Sequence, residues 1–114
     1  MIVIAGWIDV EPSVRDEAVA ATVPYQLATR TDELGCVSYV MSADPALPGR
    51  IQIFEAWADA DALEAHFGHP NFTATGALIR SYPRVGGSIR KYRVGGSGPI
   101  AGPDGRPSAT YWED

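Results

Sequence analysis

The side chains that could do chemistry cluster in the middle of the chain: the carboxylate of Glu55, the indole of Trp57 and the imidazoles of His66 and His69. A neutral imidazole can accept a proton near pH 7, so His66 is a candidate general base. Its structural alternative is a helix-end histidine that hydrogen-bonds Glu55 or a backbone carbonyl. His66 and His69 have the i, i+3 spacing that puts two metal ligands on one face of an unbroken helix, but Gly68 and Pro70 interrupt it. No metal site is expected, and His69, in a Gly-His-Pro turn, is expected to be exposed. Glu55 alternates with Ile51, Ile53 and Trp57, which puts a carboxylate on an apolar face where it needs a partner. Either it orients His66 or binds a substrate hydroxyl, or it forms an ion pair with Arg50, Arg80 or Arg90. Trp57 offers a flat wall for an aromatic ring or fills the core, and Trp7, Tyr39, Phe54 and Phe72 add aromatic area that could line a sheet-to-helix pocket.

The elements that must position these groups follow from periodicity. Residues 2–10 alternate as a strand. Pro12 then opens a long amphipathic helix reaching about Asp32, with Val14, Ala18, Ala21, Tyr25 and Ala28 on one stripe and a kink or early break expected at Pro24. Gly35 stops it, and Cys36–Ala43 alternates as the second strand, Val37, Tyr39 and Met41 on one face. Turn residues from Asp44 to Gly49 lead to a third strand, Arg50–Trp57. Asp59 suits the N-cap of a short helix through His66, Pro70 can start a further helical piece through Ile79, and Val85–Val94 reads as the last strand. That order, βαββαβ, predicts an α+β ferredoxin-like fold, an antiparallel sheet with helices on one face. Residues 1–94 form the domain. Residues 95–114 are too rich in Gly and Pro for regular structure and are expected to form an arm, with Tyr111-Trp112 as a possible anchor.

Composition narrows the partners. With 20% charged and 46% hydrophobic residues, the body is neither disordered nor fibrous, and a net charge of −5 argues against nucleic acid. No apolar run has membrane length and no basic leader precedes Ile2, so a soluble protein at a cytoplasmic address is expected. The single cysteine, Cys36, has no disulfide partner in the chain and reads as a small strand side chain. Phosphate loops, zinc spacings and nucleophile elbows are absent.

The run Gly35-Cys36-Val37-Ser38-Tyr39, Asp44-Pro45, Phe54-Glu55-Ala56-Trp57, Ala62-Leu63-Glu64-Ala65-His66 and His69-Pro70-Asn71-Phe72 resembles the signature of the antibiotic biosynthesis monooxygenase family. The resemblance implies a pairing of two sheets in a homodimer, and oxidation of a phenol or quinol by O2 without a bound cofactor. It implies His66 as base, Glu55 as its orienter, Trp57 and Phe72 holding the ring, and Tyr39 or Asn71 bonding a substrate oxygen, with Trp7 adding contact. Many members place a second histidine where this chain has Asn71, which can hydrogen-bond but cannot titrate. In the related haem-degrading branch an Asn, a Trp and a His stand where this chain has Trp7, His66 and Gly76, which argues against haem chemistry. Two other functions fit the same fold: a non-enzymatic ligand-binding or oligomerisation module, and an oxygen-independent isomerase or cyclase.

Overall fold

The computed structural model describes residues 1–113; Asp114, the last residue of the expected arm, lies outside them. The chain runs β1 (Ile2–Val10), α1 (Pro12–Asp32), β2 (Cys36–Ala43), β3 (Arg50–Trp57), α2 (Ala60–Phe67), α3 (Pro70–Arg80) and β4 (Arg84–Arg93). The strands make one antiparallel sheet in the order β2-β3-β1-β4. This is the ferredoxin-like α+β arrangement, with the second helical segment divided in two. The division falls at Gly68 and at Pro70, which cannot continue a helix but suits the first turn of the next.

Alternation decides which face of the sheet is covered. Ile4, Ile8 and Val10 of β1, Tyr39 and Met41 of β2, and Ile51, Ile53 and Trp57 of β3 meet Ala18 of α1 and Leu63 of α2 in one buried cluster. The opposite face has no helix over it, and Phe54 and Tyr92 there remain 45% and 50% exposed. The register sets Ile2 opposite Trp57 and Tyr39 opposite Glu55, which brings the functional end of β3 beside β2. Between Cys36 and Ser38 that register shifts, and the shift corrects the strand pattern: Cys36 turns towards the core, whereas Val37, expected beside Tyr39, is exposed.

Helix α1 is continuous through Pro24, without the expected break. Pro24 and Ala20, whose carbonyl loses its usual donor, both lie on the exposed side, where water can replace the missing bond. The fully buried stripe is Ala18, Thr22 and Thr29, while Val14, Ala21, Tyr25 and Ala28 flank it half-buried. Whereas the buried Thr29 hydroxyl has no hydrogen-bond partner among the described residues, Thr22 fits this position because its hydroxyl donates to the carbonyl of Val19 at 2.7 Å. Gln26, one turn on, ties the helix to β2 by bonding both the amide and the carbonyl of Met41 at 3.1 Å.

After β4 the backbone makes one isolated bridge, Ala101 to Pro107, closed around Gly105. Tyr111 and Trp112 are 36% and 59% exposed. No helix among the described residues is long and apolar enough to cross a membrane.

Candidate functional site

Two helix ends and one strand end build the site. Glu33 is the C-cap of α1, its amide bonded to the carbonyl of Thr29, and its side chain turns inward. The chain then reverses at Gly35, whose φ of 82° is a left-handed conformation that favours glycine. A side chain there would also collide with Ala62 of α2, since a Cβ on Gly35 would lie 2.5 Å from the Ala62 Cβ. The amide of Ala58 donates to the Gly35 carbonyl at 2.8 Å, so the turn that carries Glu33 is fixed directly to the start of α2. Asp59 caps α2 by accepting from the amide of Ala62 at 2.8 Å, and the helix buries Leu63 and His66. His69 caps α3, its Nδ1 accepting from the amide of Asn71 at 3.0 Å.

His66 is 1% exposed and is held between two carboxylates. Its Nδ1 lies 2.6 Å from Oε1 of Glu33, and Nδ2 of Asn71 donates to the other oxygen of that carboxylate at 3.2 Å. A carboxylate that accepts in this short contact requires the proton on Nδ1, and a neutral ring so arranged would present a lone pair at Nε2. Among the described residues Nε2 has no hydrogen-bond partner. It faces Oε1 of Glu55 at 4.0 Å, beyond hydrogen-bond reach, and that oxygen accepts from the indole N–H of Trp57 at 3.0 Å. Burial raises the affinity of Glu55 for its proton, against the opposing pull of the Trp57 bond and the nearby imidazole. Burial, with the Glu55 charge adding to it, likewise pushes the Tyr39 hydroxyl strongly towards its neutral form. The Cys36 thiol is also shifted up, first by burial and then by Glu33, as suits an unreactive strand cysteine.

Aromatic rings wall the imidazole. The Trp57 ring lies 4.4 Å from it and tilted by 31°, Tyr39 and Phe72 approach edge-on at 5.6 Å and 5.2 Å, and Phe67 stands 6.0 Å away. Trp57 is 0% exposed, so its near face is occupied by His66. The enclosed space between sheet and helices, lined by Ile8, Met41, Ile51, Ile79 and Tyr82 among others, is only about 10 Å³, room for one water at most. A larger surface concavity of about 190 Å³ reaches His66 from outside, lined by Asp32, Glu33, Leu34, Ala62, Ala65 and His69.

The fold therefore brings together His66, Glu55, Trp57, Tyr39, Phe72 and Asn71. It does not bring Trp7 to them: Trp7 projects from the helix-free face of β1, with the Arg50 guanidinium 3.6 Å over its ring. Phe54 points the same way. Among the described residues Glu55 forms no ion pair with Arg50, Arg80 or Arg90; Arg50 belongs to that opposite face and binds Asp9 at 2.9 and 3.1 Å. The hydrogen-bond partner at Nδ1 is Glu33, while Glu55, expected to orient the ring, stands 4.0 Å from Nε2. His69 is half-buried rather than exposed, its Nδ1 3.9 Å from Oε2 of Glu33. Sequence pattern did not reveal Glu33: it lies beyond the last helical turn, outside any periodic stripe, and its partners are far along the chain. Among the described residues no group of three potential metal ligands comes together.

Comparison with known proteins agrees with this architecture. The family model described as "Antibiotic biosynthesis monooxygenase" matches residues 1–78. A solved structure from Deinococcus radiodurans, provisionally designated an antibiotic biosynthesis monooxygenase, is 25% identical and superimposes with a TM-score of 0.78 over 90% of this chain and 100% of its own. A Caulobacter crescentus protein with the same provisional designation shares the fold, at 23% identity and a TM-score of 0.73, over 80% of this chain and 86% of that one. An uncharacterized protein from Synechocystis sp. is 35% identical over 71 residues, which is 62% of this chain. The match spans about half of that relative, 48% of its length.

Proposed function

Because the chain belongs to the antibiotic biosynthesis monooxygenase family, we propose that it oxidises a phenol or quinol with O2 at His66, using no bound cofactor. One observation carries this reading: a buried imidazole is tethered through Nδ1 to a carboxylate while its Nε2 has no hydrogen-bond partner among the described residues. A group arranged this way is oriented and keeps one ring nitrogen unengaged, as a general base needs. In the proposed reaction Nε2 takes the phenolic proton, and the resulting electron-rich anion reduces O2. For a hydroquinone the products are a hydroxyquinone and water, and the quinol itself supplies all four electrons.

The remaining groups have supporting roles in this scheme. Glu55, held towards its protonated form by burial, can donate a hydrogen bond to the developing phenolate oxygen. Tyr39 and Trp57 fix the imidazole from the sheet side, and Phe72, 41% exposed, offers an aromatic edge to an entering ring. We also read the helix-free sheet face, with Phe54 and Tyr92 half-exposed, as the contact between two subunits.

A second reading is favoured by the same burial. With His66 only 1% exposed, the Glu33–His66 bond could serve to tie the end of α1 to α2 in a ligand-binding module without turnover. Oxygen-electrode traces of metal-stripped protein with substituted hydroquinones, compared with argon controls, separate the two. The oxygenase consumes O2 above the protein-free blank, and His66→Gln, which keeps a donor for Glu33, slows it by about 10²–10⁴-fold. Rates equal to the blank would refute oxygenation, and product formed under argon would indicate an isomerase or cyclase.

A further inference from the structure

We infer that Glu33 and Asn71 act together as positioning residues that hold His66 in the tautomer with its proton on Nδ1. The inference rests on the reading of His66 as the base. Asn71 then has a role other than the expected contact with a substrate oxygen, because its side-chain N–H is directed at Glu33.

The geometry leaves little freedom in this arrangement. Glu33 lies just past the end of α1, so its carboxylate is not constrained by a helical neighbour and could rotate about its last torsion if held at one oxygen. It is held at both, Oε1 by His66 and Oε2 by Asn71. Asn71 is itself fixed from both sides, its amide bonded to Nδ1 of His69 and its carbonyl accepting from Oγ1 of Thr75 at 2.8 Å. The chain of contacts therefore runs from the α3 backbone through Asn71 and Glu33 to Nδ1 of His66, and it ends where the lone pair of Nε2 begins. Which ring nitrogen carries the proton is set by the bond the other makes.

Titratable groups from every side bear on the ring: Glu33 from the end of α1, Tyr39 from β2, Glu55 from β3, and His69 from the α2–α3 turn. Among the described residues, Glu33 alone of these groups is within hydrogen-bond distance of a His66 ring nitrogen. His69 keeps its Nδ1 lone pair engaged with the Asn71 amide and does not compete for the Glu33 carboxylate as a donor.

The test is long-range ¹H–¹⁵N NMR of the histidine ring nitrogens in the full-length protein near pH 7, with quinol turnover measured alongside. Wild type should show His66 protonated at Nδ1 and bare at Nε2. Asn71→Ala, a half-exposed truncation, should mix the two tautomers and lower kcat on the order of tenfold with KM little changed. Glu33→Gln, whose amide can donate to Nδ1, should move the proton to Nε2 and suppress turnover further; should that variant fail to fold, Asn71→Ala decides alone. A wild-type His66 protonated at Nε2, or an Asn71→Ala spectrum identical to wild type, would overturn the inference. Because the tautomer is read without substrate, a protein that consumes no O2 would refute the oxygenase reading and leave the positioning result standing on its own.

Discussion

Gly35 joins the turn that carries Glu33 to the helix that carries His66, and Gly35→Ala tests whether that junction sets the site. At a φ of 82° a Cβ costs about 1–2 kcal/mol of backbone strain. The same Cβ would stand 2.5 Å from that of Ala62, an overpacking for which roughly 1–3 kcal/mol is typical. The expected loss is therefore about 2–5 kcal/mol. Urea titration measures it, and Gly68→Ala is the control, because φ there is −93° and the nearest atom would be the Ala65 carbonyl oxygen at 3.8 Å. A double-mutant cycle with Ala62→Gly separates the two costs. In the Ala62→Gly background the collision disappears, so Gly35→Ala should cost only the strain of about 1–2 kcal/mol. If Gly35→Ala behaved like Gly68→Ala, or if Ala62→Gly relieved none of the loss, the close approach of the turn to α2 would not be as described.

Two further predictions concern the sheet. The proton affinity of Glu55 is raised in the folded chain by burial, so the folded state holds this proton to higher pH than the unfolded state, whose carboxyl titrates near the ordinary value of 4.5. Stability is then lost as pH rises from 4.5 through the folded pKa; Glu55→Gln, still able to accept from Trp57, should be more stable than wild type at pH 7, with the difference vanishing near pH 4 in paired urea titrations. A gap that grew towards acid pH would contradict this sign. Trp7 stands on the face away from His66, so Trp7→Ala should leave kcat for a quinol within about twofold while lowering the melting temperature through loss of the Arg50 contact; a collapse of kcat at full folding would place Trp7 in the site.

The order of elements was legible because each has its own period and punctuation. Period two marked the strands, Pro12, Asp59 and Pro70 marked helix starts, and Gly35 marked the stop. His66 and Glu55 stood out for a related reason: each is a polar residue in an otherwise apolar pattern, which requires a partner. What pattern could not give was the partner. Glu33 reaches His66 and Asn71 only through the tertiary fold, and a charged residue next to a helix stop normally reads as a solvated end. Trp7 shows the converse, because aromatic composition suggests a pocket wall, whereas alternation relative to Ile8 already assigns it to the other face. The Cys36–Ser38 register shift and the unbroken course of α1 through Pro24 likewise depend on neighbours, not on local preference.

The central claim, that oxygen is transferred to an aromatic ring with His66 as base, is tested most directly by the mass of the product. Metal-stripped protein is incubated with a hydroquinone under ¹⁸O2, and product is compared among wild type, His66→Gln and a protein-free blank. The account predicts a wild-type product carrying one ¹⁸O atom, absent from both controls above background. A product of unlabelled mass, or equal labelling in wild type and His66→Gln, would contradict it.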